Sequence, residues 1–171
     1  LGKDFLDAVG IPGPAIGHLN MFLGHSDTGK TTALVKAAVD ALPDTFVTAV
    51  TILTSLSQVQ LATMGWNGTA QDIVKRLAAQ SVAAGARAIV CSPQEVAAVR
   101  AEVGPNIVLI TPGVRPAGSD AGDQKRVATP EQALADGANL LVIGRPITAA
   151  ANIAEAAATI ASNIGEWPYP S

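Results

Sequence analysis

Leu19-Asn20-Met21-Phe22-Leu23-Gly24-His25-Ser26-Asp27-Thr28-Gly29-Lys30-Thr31-Thr32 sets the terms for reading this chain. The first five residues form an apolar run that reads as a short buried strand ending at Gly24. Gly24 to Thr31 has the form G-x-x-x-x-G-K-[ST], a phosphate-binding loop. From Thr32 to Leu42, the apolar residues Ala33, Leu34, Ala37, Ala38 and Ala41 recur at helical spacing. Strand, glycine loop and helix therefore follow in order, and this is one βα unit.

Each position of the loop has a physical use. Gly24 and Gly29 allow backbone angles that side chains forbid, so N–H groups can converge on an anion. The helix start presents further amides. Lys30 adds a point charge, and the Thr31 hydroxyl suits a magnesium ion. Asp27, Thr28 and Thr32 complete the expected lining. ATP or another nucleotide with Mg2+ is the cofactor this loop implies. Hydrolysis is not expected, because it needs an acidic residue at the end of a second strand. The other apolar runs lead into Thr54, Ser92, Thr111 and Gly144.

The unit repeats. Strand-like runs lie near 19–23, 46–53, 88–91, 107–110 and 140–143, and helical stretches near 29–42, 70–84, 93–102, 130–137 and 152–164. Gly85, Gly104, Gly137 and Gly165 stand where helices end. Ser92-Pro93 and Thr129-Pro130 have the pattern of an N-cap before a first-turn proline. Five βα units predict a parallel α/β sheet in one domain over 1–171, with a surface tail over 166–171.

Composition narrows the function. Of the 171 residues 49 % are hydrophobic, enough for a full core, and 15 % are charged, with a net charge of −3. No basic cluster favours nucleic acid. No apolar run reaches the length of a membrane span, and no leader opens the sequence, so a cytoplasmic protein is expected. Cys91 lies in an apolar run and reads as a core residue. Two histidines, His18 and His25, give no metal-ligand spacing.

From residue 46 onward five stretches carry a resemblance. They are Val50-Thr51-Ile52-Leu53-Thr54-Ser55, Val90-Cys91-Ser92-Pro93-Gln94-Glu95, Thr111-Pro112-Gly113-Val114-Arg115-Pro116, Gly122-Asp123-Gln124-Lys125-Arg126-Val127 and Val142-Ile143-Gly144-Arg145-Pro146-Ile147-Thr148. Together they resemble bacterial orotidine 5′-monophosphate decarboxylase, over the last four strands of a (β/α)8 barrel. The resemblance implies that Gln124, Gly144 and Arg145 hold a 5′-phosphate, that Arg115 neighbours it, and that Thr54 and Ser55 meet the pyrimidine edge. The residues themselves agree. Barrels of this type commonly seat phosphate on the loops after strands seven and eight, and Arg145 offers a planar fork. The competing reading of Arg115 is a solvated loop arginine.

The departure from that family is equally informative. Its Asp-x-Lys-x-x-Asp array is absent from the sequence. No intact catalysis is therefore expected, and no catalytic residue is assigned. Gly10-Ile11-Pro12-Gly13-Pro14 with the phosphate loop resembles the start of a RecA-like phage recombinase ATPase. The sequence thus reads as a chimera: a P-loop element over 1–45, joined near Leu42-Pro43-Asp44-Thr45 to half-barrel units over 46–165. A doubly wound, flavodoxin-like sheet is the favoured architecture, with a half barrel as the alternative. A small phosphorylated ligand is the expected partner, and open sheet edges favour a homodimer. A decarboxylase fragment active only with a complementing half, or a weak ATPase, is the alternative function.

Overall fold

A computed structural model describes residues 21–22, 30–52, 56–116 and 128–164, with the backbone alone for Met21, Phe22, Lys30 and Thr31. The strands are β1 (Met21–Phe22), β2 (Thr48–Val50), β3 (Ala88–Val90), β4 (Val108–Pro112) and β5 (Leu140–Val142). The helices are α1 (Lys30–Ala41), α2 (Gln58–Thr63), α3 (Ala70–Ala83), α4 (Val96–Val103), α5 (Pro130–Ala135), α6 (Arg145–Thr148) and α7 (Ile153–Ile164). A 3-10 turn, Pro93–Glu95, precedes α4.

The strands lie side by side in the order β1-β2-β3-β4-β5, and every neighbouring pair is parallel. This order corrects the doubly wound expectation. A flavodoxin-like sheet reverses direction after its first unit and carries helices on both faces. Here each crossover moves one strand onward. Right-handed crossovers then place the helices on one face. The arrangement is an arc of a barrel.

Register separates the two faces. Ala49, Ile89 and Leu109 share one row, and Val50, Val90, Ile110 and Leu140 share the next. The first row is fully buried against Val35 and Ala38 of α1, Ile73, Val74 and Ala78 of α3, and Val96 and Val99 of α4. This is the helix side, and removing such a side chain costs about 2–5 kcal/mol. The second row is buried at Val50, half-buried at Val90 and Ile110, and exposed at Leu140. The inner face of the arc opens steadily toward β5.

Local chemistry explains the boundaries. Ser57 and Thr69 each close a capping box, with Gln60 and Asp72 at the third helical position. Asp72 is held below the usual carboxylate range by hydrogen bonds from the Thr69 side chain and backbone. The predicted caps Ser92 and Thr129 accept from the Gln94 and Gln132 amides. Buried Val35 and Ala38 carry the inward stripe of α1, whereas Ala33 and Ala41 are exposed. Cys91 is fully buried in the core, as expected. Helices α2 and α6 are additions to the sequence reading. No helix among the described residues is long and apolar enough to cross a membrane.

One side chain ties the N-terminal ends of β4 and β5. The Arg100 guanidinium donates to the carbonyls of Gly104 (2.7 Å), Ile107 (2.7 Å) and Gly137 (2.8 Å), and to Asn139 Oδ1. Asn139 Oδ1 also accepts the Leu109 amide at 2.8 Å. Gly137 has φ 105°, and a Cβ there would stand 3.1 Å from Arg100 Cγ. Both angle and space require glycine. Desolvation lowers the pKa of Arg100, yet a guanidinium stays charged in proteins.

Arg100→Met should lower unfolding stability by about 3 kcal/mol, since several carbonyls lose a charged donor. Arg100→Lys should recover less than half of that, because an ammonium lacks the fork. Urea unfolding of the three chains reads both effects. A second prediction concerns Thr111 on β4, which is fully buried. Its Oγ1 has no hydrogen-bond partner among the described residues. Thr111→Val should therefore raise stability by about 1 kcal/mol. A lower denaturation midpoint for that variant would mean that the hydroxyl is satisfied in solution.

Candidate functional site

Parallel strands share one C-terminal edge, and the loops that leave it carry the candidate groups. At β2 the Thr51 hydroxyl donates to Val90 O at 2.8 Å, and the Thr51 amide donates to the same oxygen at 3.1 Å. This double contact fixes the end of β2 against β3 just before Thr54 and Ser55. Those two residues lie outside the described residues, as do Gly24, Asp27, Thr28, Gly29 and Gln124.

After β4 the chain turns at Gly113, whose φ is 80°, a left-handed angle that favours glycine. Val114 then bridges Ala128, and the Arg115 amide donates to Ala128 O at 3.0 Å. The two ends of the 117–127 excursion are thereby pinned together. Arg115 is buried, with 8 % of its surface exposed, and its Nη1 donates to Val114 O at 3.0 Å. The solvated reading of Arg115 is thus corrected. Its guanidinium is packed into the base of the loop.

After β5, Ile143 leads into Gly144 and the single turn of α6. Gly144 O accepts the amides of Ile147 (2.9 Å) and Thr148 (3.0 Å). A Cβ on Gly144 would meet nothing within 4 Å, and both Gly144 and Arg145 are exposed. The turn is open to a ligand. Pro146 of this turn and Pro116 of the preceding loop line one groove of about 380 Å³ with Asn152, Glu155 and Ile160. The fold therefore brings the Arg115 loop and the Gly144-Arg145 turn to one place.

Of the phosphate-loop residues only Lys30, Thr31 and Thr32 lie among the described residues. Lys30 and Thr31 open α1, and Thr32 is half-buried in its first turn. β1 and β5 are separated by four strand spacings, about 19 Å along the sheet. Among the described residues no group of three His, Cys, Asp or Glu could hold a metal ion.

The structure adds the burial of polar residues that the sequence reading placed at strand ends and a helix start. Ser92 and Thr111 are fully buried, and Glu95 is 4 % exposed. Their signal was present, since Ser92 and Glu95 follow directly on an apolar strand. Polarity alone does not distinguish a buried cap from a solvated turn.

Comparison with known proteins fits this geometry. A protein named Orotidine 5′-phosphate decarboxylase from Thermobifida fusca (strain YX) is 62 % identical over 131 residues, covering 77 % of this chain and 56 % of its own. One from Frankia casuarinae is 54 % identical over 132 residues, covering 77 % and 48 %. The crystal structure of orotidine 5′-phosphate decarboxylase from Lactobacillus acidophilus superposes with a TM-score of 0.66 at 29 % identity, covering 79 % of this chain and 59 % of that one. The chain thus spans about half the length of the curated relatives it matches. The family match starts at residue 25, inside the phosphate loop, and crosses Leu42–Thr45 without a break. The expected junction there, and with it the ATPase chimera, gains no support. Through residues 25–160 the chain belongs to the Orotidine 5′-phosphate decarboxylase / HUMPS family.

Proposed function

We propose that this chain is the phosphate-holding half of an orotidine 5′-phosphate decarboxylase, competent for decarboxylation only with a polypeptide that supplies the missing Asp/Lys array. The observation that carries this reading is the shared groove of Pro116 and Pro146, which joins the Arg115 loop to the exposed Gly144-Arg145 turn. In this reading the Gly144 and Arg145 amides and the Arg145 guanidinium take the 5′-phosphate, together with Gln124. Arg115, buried beside Val114, positions the start of that segment rather than touching ligand. Thr54 and Ser55 take the pyrimidine edge at the end of β2.

The division of labour is chemical. Decarboxylation leaves an electron pair on a ring carbon, which needs a nearby cation and a proton donor. No such lysine–carboxylate array occurs in this sequence. Remote phosphate binding still matters to the rate, because it can offset the cost of orienting the ring at the reacting centre. The two halves therefore contribute separable parts of one barrier.

A second reading has one observation behind it. The pattern Gly24 to Thr31 runs directly into the residues of α1. ATP with Mg2+ at Thr31 would then bind Gly24, Asp27, Thr28, Gly29, Lys30 and Thr32. Equal calorimetric heats for ATP with wild type and Lys30→Ala would remove it.

The main reading is tested by complementation. The chain alone should show no decarboxylation of orotidine 5′-monophosphate. Mixing it with the part of the Thermobifida fusca relative outside the matched span should restore turnover. Arg145→Ala in that mixture should raise KM by roughly tenfold or more, the loss of one charge-assisted contact of about 1.4 kcal/mol. Turnover by the chain alone, or an unchanged KM in Arg145→Ala, would overturn the proposal.

A further inference from the structure

Asn67-Gly68 is the one Asn-Gly pair in the sequence. It lies in the connection between α2 and α3, and both residues are exposed. Gly68 has φ 103°, an angle that favours glycine, and it carries no side chain to shield its neighbour. The Gly68 amide donates to no group among the described residues, and the Asn67 side chain has no partner there. An unheld main-chain nitrogen thus follows directly on an unheld carboxamide. Asparagine is among the thermolabile residues, and a following glycine makes it most so.

The rest of the chain supplies the contrast. Asn106, Asn139, Asn152 and Asn163 each precede Ile or Leu, whose branched side chains crowd the next amide. Asn139 Oδ1 accepts the Leu109 amide at 2.8 Å, and Asn152 Oδ1 accepts the Glu155 amide at 3.2 Å. Asp136-Gly137 has the same second residue, yet both reacting groups are held. The Gly137 amide donates to Leu134 O at 2.9 Å, and Gln132 Nε2 donates to Asp136 Oδ1 at 2.8 Å.

We infer that Asn67 is a site of spontaneous modification, which deamidates through a cyclic imide with Gly68. The Gly68 nitrogen bonds to Asn67 Cγ and gives up its proton. The Cγ–Nδ2 bond breaks, and the nitrogen leaves with that proton as ammonia. Water then opens the ring. Addition at Cγ gives aspartate, and addition at the Asn67 main-chain carbonyl gives isoaspartate, whose backbone runs through Cβ and Cγ. Nothing is oxidised or reduced. Either product adds one negative charge to the net −3.

The two products differ in consequence, because the segment is anchored on both sides. Trp66 is buried, and its amide donates to Leu61 O at 3.0 Å. Gln58 clamps the other side: its Nε2 donates to Gly68 O at 2.8 Å, and its Oε1 accepts the Ala70 amide at 2.8 Å. An extra backbone carbon between these anchors displaces the exposed Gln58 clamp ahead of α3. Aspartate leaves the backbone length unchanged and keeps the clamp.

Ageing the intact chain at mildly alkaline pH, followed by peptide mapping and enzymatic methylation of isoaspartate, provides the test. Isoaspartate should map to Asn67, with Asn106, Asn139, Asn152, Asn163 and Asp136 unchanged. Its rate should rise with pH, since the nitrogen attacks as its anion. Asn67→Gln, which keeps Gly68, should slow the modification by about tenfold or more, ~1.4 kcal/mol of barrier. The aged chain should unfold at lower urea than Asn67→Asp. An intact Asn67 under conditions that convert the free peptide Gly65–Gln71 would overturn the inference, as would modification mainly at another of these residues. An aged chain as stable as Asn67→Asp would overturn the loss of the clamp.

Discussion

The planar fork of Arg100 is the constraint from which the functional edge follows. It gathers the carbonyls of Gly104, Ile107 and Gly137 and the side chain of Asn139 into one point below the sheet. Asn139 passes the constraint to the Leu109 amide. The end of α4 and the starts of β4 and β5 are therefore fixed together. Strands of three to five residues have little freedom once one end is fixed. Beyond their other ends, Pro116, next to Arg115, and Pro146, next to Arg145, line one groove. Barrel enzymes divide their labour in the same way, with stability at the bottom face and chemistry at the top.

The helix side of the arc is conventional, and the inner side is not. Ala49, Ile89 and Leu109 are sealed under three helices, whereas the inward row becomes more exposed from Val50 to Leu140. A closed barrel would fill that space with side chains from its remaining strands. The described residues form the arc that carries the Gly144-Arg145 turn, and no opposing wall of strands occurs among them. In the proposed reading, binding and bond cleavage fall to different chains, and a complementing chain fits this seam.

Much of this was legible in the sequence, for local reasons. Strand cores follow from apolar runs, and Ser92-Pro93 and Thr129-Pro130 mark helix starts because cap and proline act within one turn. Strand order was not legible, because an apolar run reveals that it is buried but not which strand lies beside it. Helix α2 escaped because only Leu61 is buried along it, although Ser57 and Gln60 hold the capping-box spacing. Arg115 is buried next to the Val114–Ala128 bridge, a contact between residues fourteen apart that no local pattern encodes. The phosphate-loop pattern misled about ancestry. Its spacing is local, whereas the family match extends through it and well beyond.

The most direct test follows backbone amide resonances while uridine 5′-monophosphate is titrated into the intact chain. The account predicts shifts centred on Gly144 and Arg145 that saturate together, with the amides of Gly24 to Thr31 unmoved. Shifts confined to Gly24–Thr31, with Gly144 and Arg145 silent, would contradict it.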